Sequence, residues 1–222
     1  RQMCIRDSKN AVLASSQRDY IAGEVSKDLT KRLLLPEKIV KAHEEGVLYF
    51  HDMDYFLQPI FNSSVINIGD MLDNGTVING KLIDSPKSFR VACTVLAQIL
   101  ATVASTQYGG QSVDISHLGK YVRKSYEKFK EEFGGMPSKE ILDKKIKEEV
   151  TSGVQTLQYQ INTLMTTNGR SPLVSLFMYL REDDEYIKEN ALIIEEILKQ
   201  RIKGMKDAEG KYINPVSYTH LT

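Results

Sequence analysis

Residues able to do chemistry gather in the segment His51-Asp52-Met53-Asp54-Tyr55, which places an imidazole, two carboxylates and a phenol within five positions. The apolar run before it, residues 47–51, predicts a short strand, so His51, Met53 and Tyr55 would share one face and the two aspartates the other. Ligand sites in α/β proteins gather at strand ends, which makes this cluster a candidate site. The plainer interpretation, in which the aspartates cap turns at a strand exit, stays open.

Two further segments combine small and polar residues. Asn62-Ser63-Ser64 offers an amide and two hydroxyls, but without a base in a recognisable pattern it does not indicate a serine nucleophile. Tyr108-Gly109-Gly110-Gln111-Ser112 is predicted to join two helices, and its glycines would let the backbone approach a ligand closely. Amides at the start of the next helix could bind a phosphate, although the P-loop and dinucleotide patterns are absent. A plain helix-to-helix turn explains the segment equally well.

A third loop, residues 166–172, crowds hydroxyls, an amide and a guanidinium between a long helix and an apolar strand. It fits a phosphate or ribose contact, or a plain turn with a solvated arginine. Cys93 lies in an apolar helix and is predicted to be a buried structural thiol, because reactive thiolates need polar, partly exposed surroundings. No CxxC, HExxH or zinc-like carboxylate spacing occurs, so no metal site is predicted.

The formal net charge is zero, with 29 basic and 29 acidic residues among 222. This balance excludes the strongly basic surface on which nucleic-acid and anionic-membrane binding depends, so neither partner is expected. The longest apolar run, Val91 to Ala104, is too short to span a bilayer and predicts a buried helix. Two cysteines cannot form a disulfide framework and no secretory signal is recognised, which favours a soluble cytoplasmic protein.

The hydrophobic pattern predicts a helix-rich α/β chain. Helices are predicted at 17–32, 36–46, 85–107, 114–133, 139–164 and 184–203, and strands at 47–51, 64–68, 173–180 and 211–215. Turn dipeptides around Thr76 to Ile78 indicate a hairpin. The run 173–180 is continuously apolar, as in a strand buried on both faces, and long helices between strands favour parallel pairing.

The two chain ends, residues 1–8 and 216–222, show neither helical nor strand periodicity and resemble translated adaptor sequence. We expect the natural sequence to cover residues 9–215, with no further boundary inside it. Both ends are therefore excluded from fold reasoning.

A series of motifs is similar to the catalytic region of anaerobic (class III) ribonucleoside-triphosphate reductases. In chain order the motifs are LLPEKIVKAHEEG, FHDMDYF, PIFN, INIGDMLDNGT, SPKSF, QYGGQS and TNG. The resemblance runs from about Ser16 to Pro215, and several motifs in the same order are far more specific than any one of them. It implies the N-terminal part of a glycyl-radical-enzyme fold, a ten-stranded α/β barrel that is truncated here.

The resemblance also implies a chemistry. Enzymes of this family are homodimers that reduce ribonucleoside triphosphates to 2′-deoxy forms, with formate as reductant and deoxynucleotides or ATP as effectors. A cysteine thiyl radical abstracts the ribose 3′-hydrogen, after a radical S-adenosylmethionine activating enzyme has placed a glycyl radical near the C-terminus. A zinc site of four cysteines lies in the same C-terminal region. The thiyl cysteine, the radical glycine and the zinc site are not matched within this sequence, so the fragment alone is expected to be inactive.

Carried onto this sequence, the resemblance makes His51, Asn62 and Ser63 the wall that faces ribose. It implies nucleotide contacts, to substrate or effector, at Tyr108, Gly109, Gly110, Gln111, Ser112, Asn168, Gly169, Arg170 and Ser171. Ser63 stands where the family has a cysteine, and a hydroxyl cannot give up a hydrogen atom as a thiol does. A second hypothesis, for which Ser63 would be no defect, is a non-redox nucleotide-binding or dimerising regulatory protein.

Overall fold

The computed structural model describes residues 14–58, 63–106, 110–134, 138–164, 172–206, 208–213 and 218–221. The chain divides into two compact units, the first made of Arg1–Asn62 with Met165–Arg170 and the second of Ser63–Leu164 with Ser171–Thr222. No shift in composition marks this division in the sequence. The expected boundaries of the natural sequence, at residues 9 and 215, stay a prediction.

The first unit begins with two helices. Helix α1 spans Ala14–Leu29 and continues into a π-helical turn, Thr30–Leu34, while helix α2 spans Glu37–Glu44. Gly46 ends α2 in the left-handed region, with φ at +73°, as glycine does at many helix ends. These elements confirm the predicted helices at 17–32 and 36–46.

The predicted strand at residues 47–51 is wrong. The backbone N–H groups of Val47 and Leu48 donate to the carbonyl oxygen of Ala42, at 2.9 and 3.2 Å, and the N–H of Phe50 donates to Nδ1 of His43 at 3.2 Å. Because these groups bond back to the end of α2, they are not available to a neighbouring strand.

The residues after this segment do not alternate between two faces either. Asp52 has a φ of +52°, which turns the chain, and Met53–Tyr55 forms a single 3₁₀ turn with Met53 buried. The hydroxyl of Ser26 in α1 donates to the carbonyl oxygen of Asp54 at 2.5 Å, and Gly23 leaves room for Asp54 beside α1. The segment His51 to Tyr55 is therefore a turn packed on α1, not a strand end.

The second unit contains eight strands and five longer helices among its described residues. In chain order they are β1 Ser63–Ile66, α3 Ile68–Asp73, β2 Thr76–Ile78, β3 Lys81–Ile83, α4 Phe89–Thr106, β4 Gly110–Asp114, α5 Gly119–Glu132, α6 Lys139–Thr163, β5 Leu173–Met178, α7 Ile187–Lys203, β6 Met205–Lys206, β7 Tyr212–Ile213 and β8 Tyr218–Leu221. Strands β2 and β3 form the predicted hairpin around Asn79 and Gly80, both with positive φ. Strands β6 and β7 form a second antiparallel pair.

Four strands form one parallel sheet in the order β1-β4-β5-β8. The order in space follows the order in the chain, without reversal. Since strand-to-strand connections of this kind are almost always right-handed, an order without reversal keeps every crossover on the same side of the sheet. The helices therefore cover one face, and the parallel pairing predicted from the sequence is confirmed.

Burial along the strands agrees with this arrangement. The side chains that point toward the helices are buried and belong to the same core as α4, α5, α6 and α7; they are Ile66, Val113, Val174, Leu176 and Met178. The side chains between them are half-buried or exposed. The expectation that residues 173–180 are buried on both faces is thus wrong, because Leu173, Ser175 and Phe177 point away from the helices.

Helix α4 is the core helix of this unit. It packs along α6, and nine of its residues are buried. Its 18 residues exceed the 14-residue apolar run seen in the sequence, and among the described helices it is long and apolar enough to cross a membrane by length and composition. The expectation that this segment is too short to span a bilayer is therefore wrong by length. Its buried side chains confirm the prediction of a buried helix.

Two predicted helix starts are corrected. Helix α4 begins at Phe89, with Ser88 accepting from the N–H of Val91 at 3.4 Å, and not at Ser85-Pro86. The helix predicted from Asp114 begins at Gly119, because Gly110–Asp114 is the strand β4 and Ile115–Leu118 is a 3₁₀ turn. The segment Gly110 to Ser112 is consequently part of the sheet and not a turn between helices.

A first prediction concerns the contact between α4 and α6. A Cβ atom on Gly153 would lie 2.5 Å from the ring of Phe89 and 3.2 Å from Sγ of Cys93. Although alanine favours a helix interior by about 1 kcal/mol over glycine, we expect Gly153→Ala to lower the free energy of unfolding by about 1–3 kcal/mol through overpacking. Urea unfolding followed by circular dichroism measures it, with Ser152→Ala on the same helix as control. A more stable Gly153→Ala chain would contradict this packing.

A second prediction concerns Tyr121, which is buried and donates to Oδ1 of Asp73 at 3.0 Å. Burial, with Asp73 adding to it, raises the pKa of this phenol to about 12. The unfolded phenol ionises near its ordinary pKa of about 10, so its stabilising contribution is complete below that pH and is lost between there and about 12. Urea unfolding from pH 8 to 11.5 should show a steeper loss for wild type than for Tyr121→Phe. Tyr126→Phe on the same helix serves as control, and parallel curves for wild type and Tyr121→Phe would refute the assignment.

Candidate functional site

The face of the parallel sheet that lies away from the helices is the candidate site, and we call it the open face. It carries hydroxyls, small residues and apolar side chains from three neighbouring strands. Its members are Ser63 and Val65 from β1, Gly110, Ser112 and Asp114 from β4, and Leu173, Ser175 and Phe177 from β5. Val65 is 79% exposed, which is unusual for an apolar side chain within a parallel sheet.

Strand register places the predicted residues of this face in two rows. Ser63 pairs with Gly110, which pairs with Leu173. In the next row on the same face, Ser112 stands between Val65 and Ser175. Because neighbouring strands lie about 4.8 Å apart, Ser112 and Ser175 are neighbours on this face.

Gly110 leaves open space beside Ser63. Among the described residues, a Cβ atom built on it would have Leu173 alone within 4 Å, at an ordinary contact distance of 3.8 Å. Space beside the strand backbone lets a ligand come close to Ser63. A close approach of ligand and backbone is what the sequence predicted for this glycine. Ser63 and Gly110, predicted from separate segments of the sequence, are thus brought together by the sheet.

Gln111 lies on the other face. It is fully buried under the helices, and strand alternation separates it from its neighbours Gly110 and Ser112. Its assignment as a nucleotide contact stays a prediction. From the sequence, residues 108–112 were predicted to form one loop. In the structure Gly110 to Ser112 are strand residues, so Gln111 faces the core while Gly110 and Ser112 face the open face.

Several predicted site residues lie outside the described residues: Asn62, Tyr108, Gly109, Asn168, Gly169, Arg170 and Ser171. In the chain they come directly before β1, β4 or β5. Their assignments stay predictions.

His51 belongs to the first unit. Its Nδ1 lies 2.7 Å from Oδ2 of Asp52, and its side chain is 56% exposed. The ring of Tyr49 lies edge-on, with centroids 6.0 Å apart. A carboxylate at Nδ1 holds the imidazole in one orientation and leaves Nε2 available to a ligand. The role of His51 at the ribose stays a prediction.

Ser175 is an open-face residue that the sequence analysis missed. It is the one small polar residue in the apolar run 173–180, and that interruption was the available signal. A second missed feature is a cleft of about 330 Å³ at the carboxyl ends of β4 and β5. Two of its carboxylates are occupied within the fold, since Asp114 accepts from the N–H of Ser116 at 2.9 Å and Asp184 from that of Tyr186 at 2.8 Å.

Cys93 is fully buried, which confirms the prediction of a structural thiol. Burial is the main cause that raises the pKa of this thiol well above its ordinary value, and the negative charge of Glu149 adds to it. Within the described part of the chain, no group of three or more histidine, cysteine or acidic side chains is placed to hold a metal ion.

A third prediction follows for Cys93. In a Cys4→Ser chain, where Cys93 is the remaining thiol, we expect no reaction with a disulfide reagent at pH 8 until urea unfolds the protein, because the buried thiol stays protonated. Absorbance of the released thiolate reports the reaction, and the same chain in urea gives the full signal. Rapid labelling without denaturant would contradict the burial.

The chain was compared with known protein families and with curated proteins. The sequence profile of the family described as anaerobic ribonucleoside-triphosphate reductase matches residues 7–222. The reductase of that name from Haemophilus influenzae is 37% identical over 204 residues, which is 89% of this chain and 28% of that protein. The enzyme of bacteriophage T4 is 36% identical over 205 residues and is covered to 33%. The chain therefore spans about a third or less of these relatives.

Solved structures resemble the fold. The anaerobic ribonucleotide reductase from Thermotoga maritima in complex with dATP and CTP matches with a TM-score of 0.59 and 15% identity, over 86% of this chain and 35% of that one. A second anaerobic ribonucleotide reductase matches with a TM-score of 0.57 and 14% identity, over 92% and 34%. At such identity the likeness shows the fold alone, and it confirms the predicted partial glycyl-radical-enzyme fold. The family profile, the relatives and the fold agree with the series of motifs found along the sequence. This chain therefore belongs to the anaerobic ribonucleoside-triphosphate reductase family.

Proposed function

We propose that the protein containing this chain reduces ribonucleoside triphosphates to deoxyribonucleoside triphosphates, and that the open face forms part of the wall around the ribose. The observation that supports this best is the position of Ser63. It stands where the family has a cysteine, on the open face, beside the space left by Gly110. A family position with a chemical role thus lies on the one face of the sheet that the helices leave uncovered.

The overall reaction replaces the ribose 2′-hydroxyl by hydrogen. With formate as the proposed reductant, one formate and one proton convert the ribonucleotide into deoxyribonucleotide, carbon dioxide and water, so two electrons move from formate to C2′. The family's glycyl and thiyl radicals supply the hydrogen-atom chemistry. The family's zinc site belongs to the proposal for the whole protein, in its C-terminal region.

The partners of the proposal follow from the family. They are ribonucleoside triphosphates as substrates, deoxynucleotides and ATP as effectors, a radical S-adenosylmethionine activating enzyme, and a second copy of the protein in a homodimer. A cytoplasmic location belongs to the same proposal. The chain by itself is proposed to be inactive.

The proposed role of this chain's own residues is to bind the ligand. Ser63, Ser112 and Ser175 offer hydroxyls to a polar ligand, while Val65 and Leu173 give the face apolar contact area. An O–H bond is too strong for Ser63 to release a hydrogen atom, so Ser63 donates or accepts a hydrogen bond and takes no part in electron transfer. The non-redox regulatory hypothesis is not favoured, because the relatives are reductases.

A fourth prediction tests the function in the full-length protein. Anaerobically activated Ser63→Cys protein should form deoxynucleotide at least about tenfold faster than wild type, a gain of about 1.4 kcal/mol in transition-state stabilisation, because the thiol restores a redox-active group at the ribose. Product is measured by chromatography of labelled nucleotides.

Ser64→Cys is the matched control, since Ser64 is the next residue in β1 and points to the helix-covered face. Its rate should equal that of wild type. If neither wild type nor Ser63→Cys forms any deoxynucleotide, the proposed function is wrong. If both variants behave alike, the placement of Ser63 at the ribose is wrong.

A further inference from the structure

Besides Ser63, the open face carries two further serines, Ser112 and Ser175. They belong to neighbouring strands, are direct register partners and are both half-buried. Across the part of the chain that the structure describes, neither hydroxyl takes part in a side-chain hydrogen bond. Both remain available to a ligand that lies on the open face.

The surroundings of this pair limit what can bind. Val65 flanks Ser112 in the same row, Gly110 and Leu173 lie in the row below, and Asp114 and Phe177 lie in the row above. On β1, β4 and β5 the open-face neighbours of the pair therefore bring one carboxylate and no cation. Two hydroxyls without a neighbouring cation suit neutral polar groups better than phosphates, which bind Arg, Lys and backbone amides. Each hydroxyl can both donate and accept, as is required to bind another hydroxyl.

The spacing of the pair matches a cis-diol. Two side chains about 4.8 Å apart at their bases can converge on two neighbouring oxygen atoms. Ser63 lies on the adjacent strand, two residues before Val65 in the chain, so the pair and Ser63 border the same part of the open face. A ribose that lies against Ser63 would have the pair one row away on the same face.

We propose that Ser112 and Ser175 bind the two hydroxyls of the ribose, one hydroxyl each, and so make this face selective for ribonucleotides over their deoxy counterparts. This inference rests on the proposed function and deepens it. A 2′-deoxynucleotide leaves one serine without its partner, which weakens its binding at this site and helps the product to leave.

A fifth prediction follows, and it requires no turnover. In full-length, unactivated protein we expect Ser112→Ala and Ser175→Ala each to weaken binding of a ribonucleoside triphosphate about fivefold, the loss of one hydrogen bond. Calorimetry gives the dissociation constants, using CTP, a ribonucleotide that is not among the proposed effectors. Ser64→Ala, on the covered face of β1, is the matched control and should bind as wild type does. Ser175→Thr, which keeps the hydroxyl, should restore most of the affinity lost in Ser175→Ala.

The 2′-deoxy and 3′-deoxy analogues, measured by displacement of the ribonucleotide, assign each serine to its oxygen. The alanine substitution of one serine should not weaken binding of the 2′-deoxy analogue, and that of the other serine should not weaken binding of the 3′-deoxy analogue. In each case the analogue already lacks the sugar hydroxyl that the serine would bind. Effects that persist undiminished with both analogues would place the pair against base or phosphate and overturn the inference. Unchanged affinity in both alanine variants would overturn it too. Wild-type protein that binds no ribonucleotide would instead overturn the proposed function.

Discussion

The order of the parallel strands decides which face of the sheet the helices cover and which face they leave open. Because β1, β4, β5 and β8 follow one another across the sheet without reversal, right-handed crossovers keep the helices on one side. The other side is left for a ligand or for further parts of a larger protein. In sheets whose strand order reverses, ligands collect at the edge where the order changes. The order of the described strands does not reverse, so the strand order alone marks no such place in this sheet.

The helices on the covered face are held to one another by specific contacts. Helix α4 begins against two other helices: the N–H of Phe89 donates to Oγ of Ser125 at 2.8 Å, and the N–H of Arg90 donates to Oε1 of Glu149 at 3.1 Å. Amides at the start of a helix have no partner within it, so these side chains from α5 and α6 satisfy them and fix the position of α4. Gly153 allows α6 to approach Phe89 closely. The strands thus rest on helices whose relative positions are set by specific contacts.

Ser63 gives the open face a hydroxyl at the position where the resemblance implies a cysteine. A serine in place of a cysteine keeps nearly the same volume and can still form hydrogen bonds, but it removes the hydrogen-atom and disulfide chemistry of a thiol. With Ser112 and Ser175 on the same face, the described part of this wall offers three hydroxyls and no thiol. Hydroxyls of this kind can donate and accept hydrogen bonds, as the proposed contact with a sugar requires.

The sequence by itself determined most of the long helices, the hairpin and the family, but not helix α3 or the starts of α4 and α5. Helix α6 was predicted almost to the residue, because its hydrogen bonds, its Ser138 cap and its apolar stripe all lie within one stretch of chain. The Asn79-Gly80 turn is equally local, since it depends on two residues that tolerate positive φ.

Only the tertiary structure decided which apolar runs are strands and which strand residues face a ligand. Residues 47–51 have strand composition but bond back to α2, whereas the polar segment Gly110–Asp114 becomes a strand because β1 and β5 lie on either side of it. The physical reason is that a strand's hydrogen-bond partners are far away in the chain, so no local pattern identifies them. For the same reason Ser175 and Ser112, more than sixty residues apart, become neighbours only in the sheet.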